Sequence, residues 1–261
     1  MADHPIMHTM FESLMILIFE MFGTGMLTML FISTSGGIGF GIGFFVLLIF
    51  SARISGSHYN PVVTLAYMLR KDAGQFNKWL GILYMLAQLG GALLGALFIF
   101  YCFDCKETYL SLYVNSNGNY PWIQCAISET LGAFILVLAY LTQTEENYKL
   151  SSDAAITLLL ISMSYVVGLT LSDPVGMWTQ SPLNPAIALS IMTFATFDGN
   201  MNLMSFAWIF LTFAWGGSCL AVLCFELVFK KAANAVEHKE EMDEENKEIE
   251  AVAEISQPLA E

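Results

Sequence analysis

Four side chains with chemical potential sit at matched places in the two halves of this 261-residue chain. They are Asn60 and Asn184, each followed by a proline, and the carboxyls Glu20 and Glu129. A carboxamide offers both a donor and an acceptor, and a carboxylate accepts only, so these groups suit hydrogen bonding better than bond-breaking. The four histidines, His4, His8, His58 and His238, lie at the ends or beside a loop, and no nucleophile–base pair stands out. Of the five cysteines, Cys102-x-x-Cys105 has no second pair or nearby histidine, so zinc is not expected. A disulfide from that pair to Cys125 is geometrically conceivable. Neither an enzyme, a metal nor a cofactor is expected.

The two Asn-Pro phrases read as helix starts. Asn is a favoured N-cap, and Pro at the first helical position loses nothing because its missing N–H would be unpaired there. Each start, Asn60-Pro61-Val62 and Asn184-Pro185-Ala186, is followed by a short apolar stretch that ends at Arg70-Lys71 or at Asp198-Gly199-Asn200. Such segments, about 60–70 and 184–196, are too short for a bilayer, which takes roughly 20 apolar residues. They are expected to be half-helices.

The elements around them are membrane spans. The chain is 56% hydrophobic and 13% charged, with a mean hydropathy of +0.61; a soluble domain usually carries about 25% charged residues. Apolar runs fall at about 13–33, 37–54, 79–102, 121–142, 152–172 and 203–229. The expected fold is therefore all-α, with six transmembrane helices and two re-entrant half-helices in a membrane domain of residues 1–236. The net charge of −13 is concentrated in residues 237–261, where ten acids face two lysines. That tail reads as solvated and disordered, and no nucleic-acid partner is expected. The first dozen residues hold Asp3 and Glu12 without Lys or Arg, so the first apolar run is expected to stay as a span.

Three spans and one half-helix occur, and then occur again: about 13–102 and about 121–229. Glu20-Met-Phe-Gly23 matches Glu129-Thr-Leu-Gly132, and Gln88-Leu-Gly-Gly-Ala92 matches Ala214-Trp-Gly-Gly-Ser218. An odd number of spans per repeat inverts the second half relative to the first. Arg53, Arg70, Lys71, Lys78, Lys149, Lys230, Lys231, Lys239 and Lys247 then share one side, with only Lys106 opposite. The positive-inside rule makes that side, and both termini, cytoplasmic. Small residues such as Gly90, Gly91, Gly216 and Gly217 are expected to let helices approach closely. Carboxyls within spans are costly unless hydrogen-bonded inward, so Glu20 and Glu129 are expected to accept from the loops before the half-helices. A proton relay is the alternative, though neither span holds a His or Lys to continue it.

On SGSHYNPVVT, LNPAIALS, the two Glu motifs and AQLGGALLGA, the chain resembles the aquaporin, or major intrinsic protein, family over nearly its whole length. The resemblance implies a right-handed helix bundle whose half-helices meet at the midplane, and a homotetramer with one pore per subunit. It implies passage of water and small neutral solutes such as glycerol, in the plasma membrane or an intracellular vesicle or vacuole membrane. Two opposed helix N-termini would each bring roughly +0.5 charge to the midplane, with Asn60 and Asn184 orienting water and breaking a proton wire.

The family spacing places the outer filter at Phe40, Ser181, Ile187 and Leu169, with Ser172 as second choice for the last. Two departures follow. Val62 replaces the usual Ala of the first motif, and Ile187 stands where most members carry arginine. An apolar filter suits uncharged solutes larger than water and leaves cation exclusion to the midplane. An aliphatic residue there resembles the unorthodox branch of the family. His58 is expected at the cytoplasmic mouth, where its protonation could gate. The rival readings are a poorly conducting structural or junctional protein with the same fold, and an ion-coupled carrier, which would need a midplane charge beyond the two glutamates.

Overall fold

The computed structural model describes residues 9–34, 37–71, 76–103, 122–172, 181–197 and 204–255; Cys105, Lys106, His4 and His8 lie outside them. The first half comprises α1 (Met10–Thr34), α2 (Gly37–Ser51), the half-helix α3 (Pro61–Leu69) and α4 (Lys78–Cys102). The second repeats the order with α5 (Trp122–Thr144), α6 (Ala154–Ser172), the half-helix α7 (Pro185–Phe197) and α8 (Ala207–Cys224). A single π-helical turn, Phe225–Phe229, leads into α9 (Lys230–Ile255). Among the described residues, five helices are long and apolar enough to cross a membrane: α1, α4, α5, α6 and the one that begins at Ala207. The second span is shorter than its apolar run: α2 ends at Ser51 rather than 54, and Ala52–Ser55 form turns. There the Ser51 hydroxyl turns to the Ser57 and Tyr59 hydroxyls of the following loop.

Local chemistry starts these helices where the sequence provides caps. Thr9 and Glu12 form a reciprocal capping box at α1, with Thr9 N–H donating to Glu12 and Glu12 N–H to the Thr9 hydroxyl. Asn77 caps α4 by accepting from Trp79 and Leu80 N–H, and Asp153 caps α6 by accepting from Ala155 N–H.

The halves are assembled from like pairs. Helix α1 lies along α4 and α5 along α8, and in both pairs glycine sets the distance. A Cβ at Gly91 would overlap the Met21 carbonyl, and one at Gly95 the Gly25 carbonyl; at Gly217 it would overlap the Thr130 carbonyl. Helices α2 and α6 join the halves through Phe40, Phe44 and Tyr165 and a bond from the Ser162 hydroxyl to the Gly41 carbonyl. Each half-helix packs against the final long helix of the opposite half, α3 on α8 and α7 on α4. The Ser218 hydroxyl of α8 donates to the Val62 carbonyl at 2.6 Å.

The acidic end differs from the expected disordered segment, since helix continues from Lys230 to Ile255. Polarity there removes any apolar face, but Ala, Glu and Lys are strong helix formers and sustain the turn without a core. The pairing of His238 with Glu241, three residues on, adds little.

Neighbouring glycines provide an internal control for the packing argument. A Cβ at Gly90 or Gly216 meets nothing within 4 Å. Gly91→Ala and Gly217→Ala should each destabilise the detergent-solubilised protein by about 1–3 kcal/mol, the cost of overpacking. Gly90→Ala and Gly216→Ala should melt like the parent in the same thermal unfolding assay.

Candidate functional site

Asn60 and Asn184, 124 positions apart in the sequence, meet at the centre of the bundle through two reciprocal bonds. Asn60 Nδ2 donates to the Leu183 carbonyl at 2.9 Å, and Asn184 Nδ2 donates to the Tyr59 carbonyl at 2.9 Å. Their side-chain oxygens face the other way, as caps. Asn60 Oδ1 accepts from Val62 N–H, and Asn184 Oδ1 from Ala186 and Ile187 N–H. The carbonyls that receive these bonds belong to the residues just before each Asn, and both residues hold left-handed backbone: Tyr59 at φ 49° and Leu183 at φ 50°. Such a conformation costs a non-glycine residue roughly 1–2 kcal/mol. It turns each carbonyl toward the opposite tip. A primary amide has two N–H groups; one per asparagine is spent across the pair, and the Asn184 side chain also interacts with the Tyr165 hydroxyl. Pro61 and Pro185 occupy the first helical positions, and Val62 and Ala186 follow them, buried.

The carboxyls of α1 and α5 fasten the loops behind these tips. Glu20 receives four donors: the Ser55 hydroxyl and His58 N–H on one oxygen, Tyr59 N–H and Gln88 Nε2 on the other. Glu129 receives the Ser181 hydroxyl of the second loop. Three tyrosines complete the harness. Tyr84 donates to the Ser55 carbonyl, Tyr140 to that of Ser57 and Tyr165 to that of Pro182. Both glutamates thus act as acceptors for loop groups.

At the far end, Phe40 lies edge-on to Tyr165 with ring centroids 4.9 Å apart, and Ile187 starts α7 nearby with its N–H on Asn184. All three are fully buried. The α6 residue against Phe40 is thus Tyr165, one turn before Leu169, which is half-buried on the edge of the core; Ser172 is the last residue of α6. The Ser181 hydroxyl is bonded to Glu129. Tyr165 had a signal in the sequence: it is four residues, one helical turn, from the chosen position.

His58 does not lie open at a mouth. It is 4% exposed, stacked on Tyr67 at 4.5 Å and flanked by Phe76 and Tyr84, with Nδ1 3.1 Å from the Thr64 hydroxyl. Tyr67 reaches the Thr144 hydroxyl, and Arg70 forms an ion pair with Glu145, drawing the end of α3 onto α5. Cys102, Cys125, Cys219 and Cys224 are free thiols, so Cys125 forms no disulfide with Cys102. No metal-ligating cluster occurs among the described residues.

Two half-helices that start at paired Asn-Pro caps and are tied tip to tip have a counterpart among known proteins. The family model for the major intrinsic protein matches residues 10–225. This chain belongs to the major intrinsic protein family. The glycerol uptake facilitator protein of Streptococcus pneumoniae (strain ATCC BAA-255 / R6) is 29% identical over 203 residues, 73% of this chain and 82% of that protein. Aquaporin PIP2-4 of Oryza sativa subsp. japonica is 26% identical over 212 residues, 76% of this chain and 70% of that one. In three dimensions the fold is similar to that of the aquaglyceroporin from Plasmodium falciparum, with a TM-score of 0.64 at 20% identity. That match covers 85% of this chain and 99% of the other. The aquaporin-like, all-helical membrane fold expected from the sequence is therefore the fold of this major intrinsic protein.

The unequal loading of the two carboxyls makes them separable by mutation. Glu20→Gln replaces an acceptor oxygen by a donor facing other donors, and stranding buried groups costs about 1–3 kcal/mol each. It should destabilise the solubilised protein by about 3 kcal/mol in thermal or denaturant unfolding. Glu129→Gln, which disturbs the Ser181 hydroxyl and the Leu183 N–H, two donors against the four on Glu20, should cost about half of that.

Proposed function

We propose that this protein is a passive membrane pore for water and small uncharged solutes, glycerol among them. The observation that carries the reading is the reciprocal pairing of Asn60 and Asn184, which brings two helix N-termini and two amide donors to one point at mid-bilayer depth. Positive helix ends repel cations there, and donors that fix a water oxygen interrupt a chain of proton transfers. Irregular backbone at this depth is tolerated where it is buried in protein or lines a watery lumen.

The solute class follows from the constriction of Phe40, Tyr165 and Ile187. The only arginines in the chain are Arg53 and Arg70, and Arg70 is held at the opposite end by Glu145. A constriction of two aromatic rings and an aliphatic side chain has no charge with which to select ions. It favours the apolar edge of a polyol, and the glycerol uptake facilitator among its relatives supports that choice. The same reading takes the protein as a homotetramer with both termini cytoplasmic, on the nine-to-one distribution of Lys and Arg. His58 serves this pore as a packed aromatic-box residue, and Leu169 flanks the constriction.

A second reading, a structural membrane protein that conducts poorly, is favoured by one fact. Asn60 and Asn184 are at most 1% exposed, and Phe40, Tyr165 and Ile187 are at most 0–1% exposed, so the passage is narrow at both levels. Stopped-flow light scattering on liposomes holding the purified protein separates the two. Osmotic and glycerol permeabilities well above the lipid background support the pore; background values for every solute support the structural reading.

Substitutions at the constriction test selectivity. Ile187→Arg should lower glycerol passage relative to water by about tenfold, equivalent to about 1.4 kcal/mol in barrier. Ile187→Ala should shift the ratio toward glycerol. Equal loss of all solutes in both variants contradicts the filter assignment.

A further inference from the structure

Away from the pore axis, at the end that carries most Lys and Arg, a cavity of about 710 Å3 opens between the last turn of α2 and the α5–α6 connection. Its walls are of two kinds. Phe50, Ile54 and Leu158 form an apolar side, while Arg53, Lys149 and Ser152 form a polar rim. Phe50 is 60% exposed and Ile54 42%, as expected for helix faces turned to lipid. Arg53 has no ion-pair partner among the described residues. Lys149 pairs with Glu146 at 2.6 Å, but the Glu146 side chain is 81% exposed, and such a surface pair is worth little. Of the other two acids in the connection, Glu145 is paired with Arg70 and Asp153 is occupied in capping α6. The rim therefore sets two cations against one solvent-facing carboxylate.

A cationic rim above an apolar wall, at the depth where a span leaves the bilayer, matches the chemistry of one class of ligand. We propose that this cavity binds an anionic glycerophospholipid, its phosphate meeting Arg53 and Lys149 and its acyl chains running along Phe50, Ile54 and Leu158. A guanidinium is suited to the role, being weakly hydrated and presenting forked donors that match phosphate oxygens. Basic pockets between spans on the Lys/Arg-rich side recognise lipid headgroups in this manner, at about 1 kcal/mol per cation. A free phosphate ion shares the rim chemistry but makes no use of the apolar wall. The site is independent of what the pore conducts.

Native mass spectrometry of the full-length protein in detergent tests this, with phosphatidylglycerol and phosphatidylcholine of identical chains titrated in parallel. Phosphatidylglycerol should be retained in preference. Arg53→Ala should weaken its binding about fivefold and the double variant Arg53→Ala/Lys149→Ala about 25-fold, at about 1 kcal/mol per cation. Arg53→Lys should keep most of the affinity. Leu158→Trp, which leaves both charges and fills the apolar wall, should weaken retention as well. Millimolar inorganic phosphate should not displace the lipid. Equal retention of the two lipids, unchanged binding in the double variant, or displacement by phosphate alone overturns the proposal.

Discussion

Backbone that leaves a helix inside hydrocarbon must find all of its hydrogen bonds within the protein, and this constraint explains most of the side chains at the centre of the fold. The loops before α3 and α7 both break regular structure at membrane depth. Their N–H and carbonyl groups are taken up by Glu20 and the Ser55 hydroxyl in the first loop, by three tyrosine hydroxyls across both, and by the two asparagines on each other's loops. None of these partners is exchangeable with water without leaving buried polar groups unmet, at a cost of about 1–3 kcal/mol apiece. Residues that look functional by their chemistry are thus mostly residues that hold two short helices in place. The channel assignment rests on what that scaffold brings together.

Close helix approach is the second condition. The final long helix of each half has to reach the opposite half-helix while staying against its own partner span. Gly91 and Gly95 on α4, and Gly217 on α8, leave no room for a side chain. Where the spacing allows, polar bonds cross: the Gln88 amide of α4 bridges Glu20 and Thr64, and the Ser218 hydroxyl of α8 takes the Val62 carbonyl. Small residues and single hydrogen bonds are the means by which helices associate in lipid, where burial of apolar surface provides no drive.

Much of this was readable from local chemistry. Asn-Pro followed by a short apolar run is a helix start whichever fold surrounds it, and duplicated Glu and Gly-Gly motifs disclosed the repeat and the inward-facing carboxyls. What local chemistry leaves open is where a side chain points. Ser181 sits at the spacing of a pore residue, yet a buried carboxylate claims its hydroxyl. Leu169, chosen over Ser172 by family spacing, shares a face of α6 with Tyr165, and it is the Tyr165 ring that packs on Phe40. His58 adjoins the motif but is enclosed by Tyr67, Phe76 and Tyr84, two of which come from beyond the half-helix. Along α9, charge density argues against a core and not against a helix.

The crossed bonds of Asn60 and Asn184 carry an implication for how the molecule comes into being. Each short helix finds the acceptor for its tip amide in the other half, on the carbonyls that the unusual backbone turns at Tyr59 and Leu183 present. During synthesis the first half is therefore inserted with its re-entrant segment incomplete. It has to wait for the last spans to arrive before either tip can settle into the membrane interior. The centre is complete only when both repeats are present, and a chain interrupted between them has nothing to lock.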